Sequence, residues 1–150
     1  MIQQERIMIR ASLERVWNFI EDPNNLPKWN PKVQGITSFS GSGKEIGANF
    51  GIVYVMNTKA DDLRGEIIVR EPMSRLTFRY SGGQMPPGDY VDEGFILTQV
   101  DDTIGLVRTI DMHLTEMPWW VKIIMWIIFK TGKPVGKPYI ETLKYLIEQH

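Results

Sequence analysis

Between residues 33 and 115 one pattern repeats along the chain: apolar and polar side chains alternate, with no helical period between the runs. Alternation with a period of two marks a strand with one buried face. Six such runs fall at 33–39, 48–57, 63–70, 75–81, 90–100 and 104–115. Turn-forming sequences join them: Gly41-Ser42-Gly43, Asp61-Asp62, Glu71-Pro72, Ser81 to Asp89, and Asp101-Asp102. A meander of this kind makes an antiparallel sheet, and its apolar face needs a cover.

The flanks supply one. Residues 5–11 read as a further short strand, and Ser12 then has the position of a helix N-cap, with Glu14 near the positive end of the helix dipole. Leu13, Val16, Trp17 and Ile20 recur at helical spacing until Pro23 stops the helix. Residues 24–31 are turn-rich and allow one or two short helical turns. After Pro118 the pattern is helical again, over about 118–130 and 138–148, with Tyr139, Ile140, Leu143, Leu146 and Ile147 as the apolar stripe of the second helix. Strand, helix, six strands and a terminal helix predict an α+β fold, the last helix lying on the concave face of the sheet.

Composition narrows the function. The 150 residues, 43% hydrophobic and 23% charged, are expected to form a single domain over residues 1–150. With 17 Lys+Arg against 18 Asp+Glu the net charge is −1, which does not fit a nucleic-acid partner. The chain has no cysteine, which rules out disulfides, a thiol nucleophile and any Cys-ligated zinc site, and with two histidines and no His-Glu-x-x-His it does not read as a zinc enzyme. His113 falls on the outward parity of its strand with Asp111, and His150 is terminal. Gly41-Ser42-Gly43-Lys44-Glu45 lacks the hydroxyl residue and glycine spacing of a phosphate loop and reads as a hairpin turn. The start Met1-Ile2-Gln3-Gln4-Glu5-Arg6 is polar and leads into a strand-like run rather than a signal-peptide pattern, so a soluble cytoplasmic protein is the expectation.

The block Trp119–Phe129 has 11 residues and one lysine, against the roughly 20 apolar residues of a spanning helix. Lys122, Lys130, Lys133 and Lys137 would share one arc of a continuous helix opposite Trp, Ile and Phe. Three uses are open for it: a buried helix, a homodimer contact, or transient contact with a membrane surface.

The segment Ala11-Ser12-Leu13-Glu14-Arg15-Val16-Trp17-Asn18-Phe19-Ile20-Glu21-Asp22-Pro23, followed by Trp29-Asn30-Pro31, resembles the opening of the START-like, or birch-pollen-allergen-like, superfamily. Within it the chain is most similar to the polyketide cyclase/dehydrase and lipid-transport branch. The resemblance implies a helix-grip fold, a curved seven-stranded antiparallel sheet wrapped round a C-terminal helix, with two short helices after the first strand and an apolar cavity between. It implies no shared catalytic motif and no cofactor.

Strand parity selects the residues that would face such a cavity. The inward sets are Phe50, Ile52, Tyr54 and Met56; Leu63, Gly65, Ile67 and Val69; Leu76, Phe78 and Tyr80; Val91, Glu93, Phe95 and Leu97; and Ile104, Leu106, Arg108, Ile110, Met112 and Leu114. Even-length hairpin loops would set Val69 opposite Leu76, Met56 opposite Leu63 and Phe95 opposite Arg108, keeping these sets on one face. Tyr54, Tyr80, Glu93 and Arg108 are then the inward polar groups, with Glu93 diagonal to Arg108. This pair is either a structural ion pair or, with the two phenols, the group that orients a ligand's polar end. On the second view Arg108→Met weakens binding of a polar-headed ligand far more than it changes the fold.

The candidate ligand contacts are Tyr54, Phe78, Tyr80, Glu93, Phe95, Arg108 and Met112 on the sheet, with Ile140 and Leu143 on the terminal helix. The leading expectation is a binding or transport protein for a hydrophobic or amphipathic small molecule: a lipid, an isoprenoid quinone or a polyketide-like aromatic. The alternatives are a cyclase/dehydrase-type enzyme, with Glu93, Tyr54 or Tyr80 moving protons, and a protein-interaction module. The long connection from Ser81 to Asp89 is either a cover for the cavity mouth or a plain mobile link.

Overall fold

The structure, a computed structural model, describes residues 2–40, 44–56, 58–115 and 139–149. Strand β1 (Ile2–Ile9) leads into helix α1 (Leu13–Glu21), a 3-10 turn (Pro23–Asn25) and the short helix α2 (Leu26–Trp29). Strands β2 (Val33–Phe39), β3 (Asn49–Met56), β4 (Lys59–Glu71), β5 (Arg75–Ser81), β6 (Tyr90–Val100) and β7 (Thr103–His113) follow, and helix α3 (Tyr139–Glu148) comes last. All seven strands form one antiparallel sheet in the order β1-β7-β6-β5-β4-β3-β2. This is the predicted helix-grip arrangement.

The local chemistry explains the element boundaries. Ser12 caps α1, its hydroxyl accepting from the Arg15 N–H at 3.2 Å. Asp22 ends α1 and caps the next turn by accepting from the Asn24 N–H at 3.0 Å. Pro23 sits at the first position of that turn, where no N–H is needed.

Two of the predicted hairpin pairings are corrected. Met56 lies opposite Lys59, and Leu63 opposite Ile52, because β3 ends at Met56 and β4 begins at Lys59, so the strands reverse ahead of Asp61-Asp62. Both loops have even length, so parity survives the displaced turn. Val69 lies opposite Thr77, and Leu76 opposite Arg70. The β4–β5 connection has three residues, with Met73 in the left-handed region at φ 63°. That odd length would flip the faces, but a bulge between Ile67 and Val69 flips them back, so Ile67 still meets Phe78. The third pairing, Phe95 with Arg108, is found as expected.

Burial follows the inward sets except beyond the bulge, which turns the predicted inward Val69 outward beside Thr77 and brings Arg70 inward opposite Leu76, against Trp17 and Glu21 of α1. Phe50, Ile52, Ile67, Leu76, Phe78, Phe95, Leu97, Ile104 and Leu106 are all buried. Against them pack Val16, Trp17 and Ile20 of α1, Leu26 and Trp29 of α2, and Ile140, Leu143 and Ile147 of α3. Each fully buried side chain of this size contributes about 1.5–3 kcal/mol relative to exposure. Edge-on ring contacts run across the face from Phe50 to Phe78 (5.6 Å), Phe95 (6.4 Å) and Trp29 (6.2 Å). Gly65 makes room for this chain of rings, since a Cβ there would run into the Phe50 ring. Helix α3 packs against β1, α1 and α2, and its Glu148 carboxylate accepts from the Arg10 N–H at 2.8 Å.

The connection between β5 and β6 is tied down at two points. Gln84 N–H donates to Asp61 Oδ2 at 2.9 Å. The buried Asp89 carboxylate accepts from the Thr115 N–H at 3.1 Å and from its hydroxyl at 2.8 Å.

Candidate functional site

Cross-strand register sets the inward face out in rows. Leu76, Phe95, Arg108 and Glu5 form one row; Ile67, Phe78, Glu93 and Ile110 form the next. Phe50, Gly65, Tyr80, Val91 and Met112 form the third. Arg108 is therefore diagonal to Glu93 and directly opposite Glu5. Arg108 Nε donates to Glu93 Oε2 at 2.8 Å, Nη2 lies 2.8 Å from the same oxygen, and Nη1 donates to Glu5 Oε2 at 2.8 Å. Tyr80 donates its hydroxyl proton to Glu93 Oε1 at 2.8 Å. The Trp29 ring covers the guanidinium at 5.2 Å.

This network sits among buried apolar groups, with Arg108 8% and Glu93 2% exposed. A lone charge in such a place would be costly, and pairing is what makes it tenable. Burial works against the charge on Arg108, but the Glu93 and Glu5 carboxylates outweigh it and hold the guanidinium above its ordinary value. Burial, then the neighbouring Glu93 charge, pushes the Tyr80 phenol well above its ordinary range. The same two causes push Tyr54 up to about 12, against the pull of Arg108. Both phenols are thus proton donors at neutral pH. Tyr80 already donates to Glu93; among the described residues the Tyr54 hydroxyl has no hydrogen-bond partner.

The structure brings Tyr80, Glu93 and Arg108 together and sets Phe78 and Phe95 in the same rows, fully buried. Tyr54 stands near the start of α3, where Tyr139 raises its pKa further. Met112 is half-buried at the end of the third row, while Ile140 and Leu143 are buried in the core from the α3 side. Sequence reasoning misses two participants. Glu5 shares the parity of Ile7 and Ile9, which could have identified it. Trp29 lies in a short helical turn where no strand parity applies.

His113 does point outward, stacked on Tyr90 at 4.5 Å and 2.9 Å from Asp111 Oδ2. The predicted helix at 118–130, the apolar block 119–129 with its membrane or dimer contact, and the Gly41–Gly43 turn lie outside the described residues. Among the described residues no helix is long and apolar enough to cross a membrane.

Residues 3–125 match the family model described as polyketide cyclase/dehydrase and lipid transport. A search of curated proteins finds no match. Among solved structures, a START superfamily protein from Mycobacterium smegmatis aligns with TM-score 0.70 at 13% identity, covering 99% of this chain and 97% of that one. The ZhuI aromatase/cyclase from Streptomyces sp. R1128 aligns with TM-score 0.72 at 9% identity, covering 99% and 94%. Ara h 8.0201 aligns with TM-score 0.69 at 15% identity, covering 100% and 99%. At these identities the neighbours establish the shared fold, and the family model covers most of the sequence. The chain belongs to the polyketide cyclase/dehydrase and lipid transport family.

Proposed function

We propose that the protein holds a hydrophobic or amphipathic small molecule (a lipid, an isoprenoid quinone or a polyketide-like aromatic) between the concave face of the sheet and α3. One observation carries this reading: a phenol with no partner among the described residues, Tyr54, stands beside a satisfied polar network on an otherwise apolar, aromatic-rich face. Small-molecule sites commonly combine apolar walls with a few placed polar groups, and the family is one of lipid transport and cyclase-type chemistry.

Cyclase-type catalysis is the second reading, and Tyr54 is the observation that favours it. Its proton is available to a ligand, whereas both Glu93 oxygens already accept from Tyr80 or Arg108. A base role for Glu93 would require one of those bonds to open. Native mass spectrometry before and after organic extraction tests the binding reading. The expected result is a non-covalently held apolar molecule, or uptake of the neutral dye Nile red with a blue-shifted emission. A protein that carries no extractable molecule and leaves Nile red emission unchanged would overturn it.

A further inference from the structure

The charged groups around Arg108 on the inward face are unequal in sign. Arg108 is the buried cation there among the described residues, and each of its three nitrogens already meets a carboxylate, from Glu93 or Glu5. Two carboxylates against one guanidinium leave that network formally negative. Asp61, directly opposite Tyr54 across the β3–β4 pair, adds a third carboxylate to this face. Lys59, of the same parity, is exposed at the end of the hairpin. Arg70, on the inward face opposite Leu76 at the other end of β4, is held by Glu21 of α1 at 3.2 Å, and its buried Nε has no partner among the described residues. Beside the Arg108 network, the Tyr54 hydroxyl is a donor with no partner among the described residues.

We infer that the polar group received here is an uncharged hydrogen-bond acceptor, a ketone or quinone carbonyl, bonded by the Tyr54 hydroxyl, and that free carboxylates are discriminated against. This rests on the ligand-holding reading above. At this end of the face an incoming carboxylate would meet repulsion from Glu93, Glu5 and Asp61 in a medium that screens poorly, with the Arg108 guanidinium already taken and Arg70 paired to Glu21 at the other end of β4. A carbonyl oxygen needs one donor and brings no charge. Tyr54 remains protonated, and so remains a donor, throughout the neutral range, because its pKa is pushed up to about 12.

The experiment is displacement of Nile red by two probes with similar apolar tails, 2-tridecanone and dodecanoate, at a pH where the acid is ionised. The ketone should bind about tenfold more tightly than the carboxylate, the scale set by one hydrogen bond plus one repulsion. Tyr54→Phe should weaken the ketone about three- to tenfold, the loss of one hydrogen bond, and leave dodecanoate unchanged. Glu5→Gln, which removes one negative charge, should narrow the gap by strengthening dodecanoate. Equal or tighter binding of dodecanoate to the wild type overturns the inference but leaves the ligand-holding reading standing, as does a Tyr54→Phe effect common to both probes. Failure of the wild type to take up Nile red at all removes that reading and the inference with it.

Discussion

At the scale of single residues, Arg108 is the group whose loss has the largest expected effect. Parity alone marks it as inward and pairs it with Glu93, which leaves open a mainly ligand-directed role. With Glu5 and Glu93 both bonded to it, the balance shifts towards the fold. Arg108→Met would strand a buried carboxylate, and urea unfolding should show a loss of about 3–5 kcal/mol. Arg108→Met combined with Glu93→Met should recover a good part of that loss, because the charge left alone, Glu5, is partly exposed to water. If the double variant is as unstable as the single one, the pair is not the cause. The phenols give a pH signature. A folded pKa raised from 10.0 to about 12 means that Tyr54's contribution is fully present below pH 10.0 and is lost as pH climbs from there to about 12. The urea midpoint should therefore fall across that window, and Tyr54→Phe should flatten part of the slope. An unchanged slope would place the alkaline loss elsewhere. Glu5 shows what was legible at this scale: its parity was readable from Ile7 and Ile9, but its partner was not, because β1 pairs with the distant strand β7 and Glu5 and Arg108 stand 103 positions apart.

At the scale of elements, helix caps and strand parity were readable because each depends on a few neighbouring residues. Ser12 caps α1 as its sequence position requires. Hairpin positions were less secure. The Asp61-Asp62 pair has turn chemistry, yet both residues lie within β4, and Thr58 takes the positive φ of 68° at the turn. The Asp61 carboxylate instead accepts from Gln84 of the next connection, a contact made only after the sheet has assembled. Gly65 has a similar long-range cause. Strand propensity alone would favour replacing it, since glycine weakens a strand interior. Its neighbour on β3, Phe50, reverses the sign. Gly65→Ala should lower stability by about 1–3 kcal/mol through overpacking, read as a fall in thermal midpoint. An unchanged or raised midpoint would show that the Phe50 ring can step aside.

At the scale of the whole molecule, the helical segments at the two ends of the chain together cover the concave face. Helix α3 reaches the core through Ile140, Leu143 and Ile147 and is bonded at its end to the residue after β1. Leu143 is fully buried, and Leu143→Ala should cost about 2–5 kcal/mol in urea unfolding. A cost below about 1 kcal/mol, that of an exposed position, would mean that α3 is not part of the cooperative core. The sequence by itself determined the element order, the α+β class and the inward face of each strand up to the β4 bulge, beyond which Val69 and Arg70 exchange faces, because period, caps and parity are properties of short stretches of chain. Only the tertiary structure decided the turn positions, the compensating bulge in β4 and the joining of Glu5, Arg108, Glu93, Tyr80 and Trp29. Each of these depends on contacts between residues distant in sequence, whose register is fixed when the sheet closes against its helices.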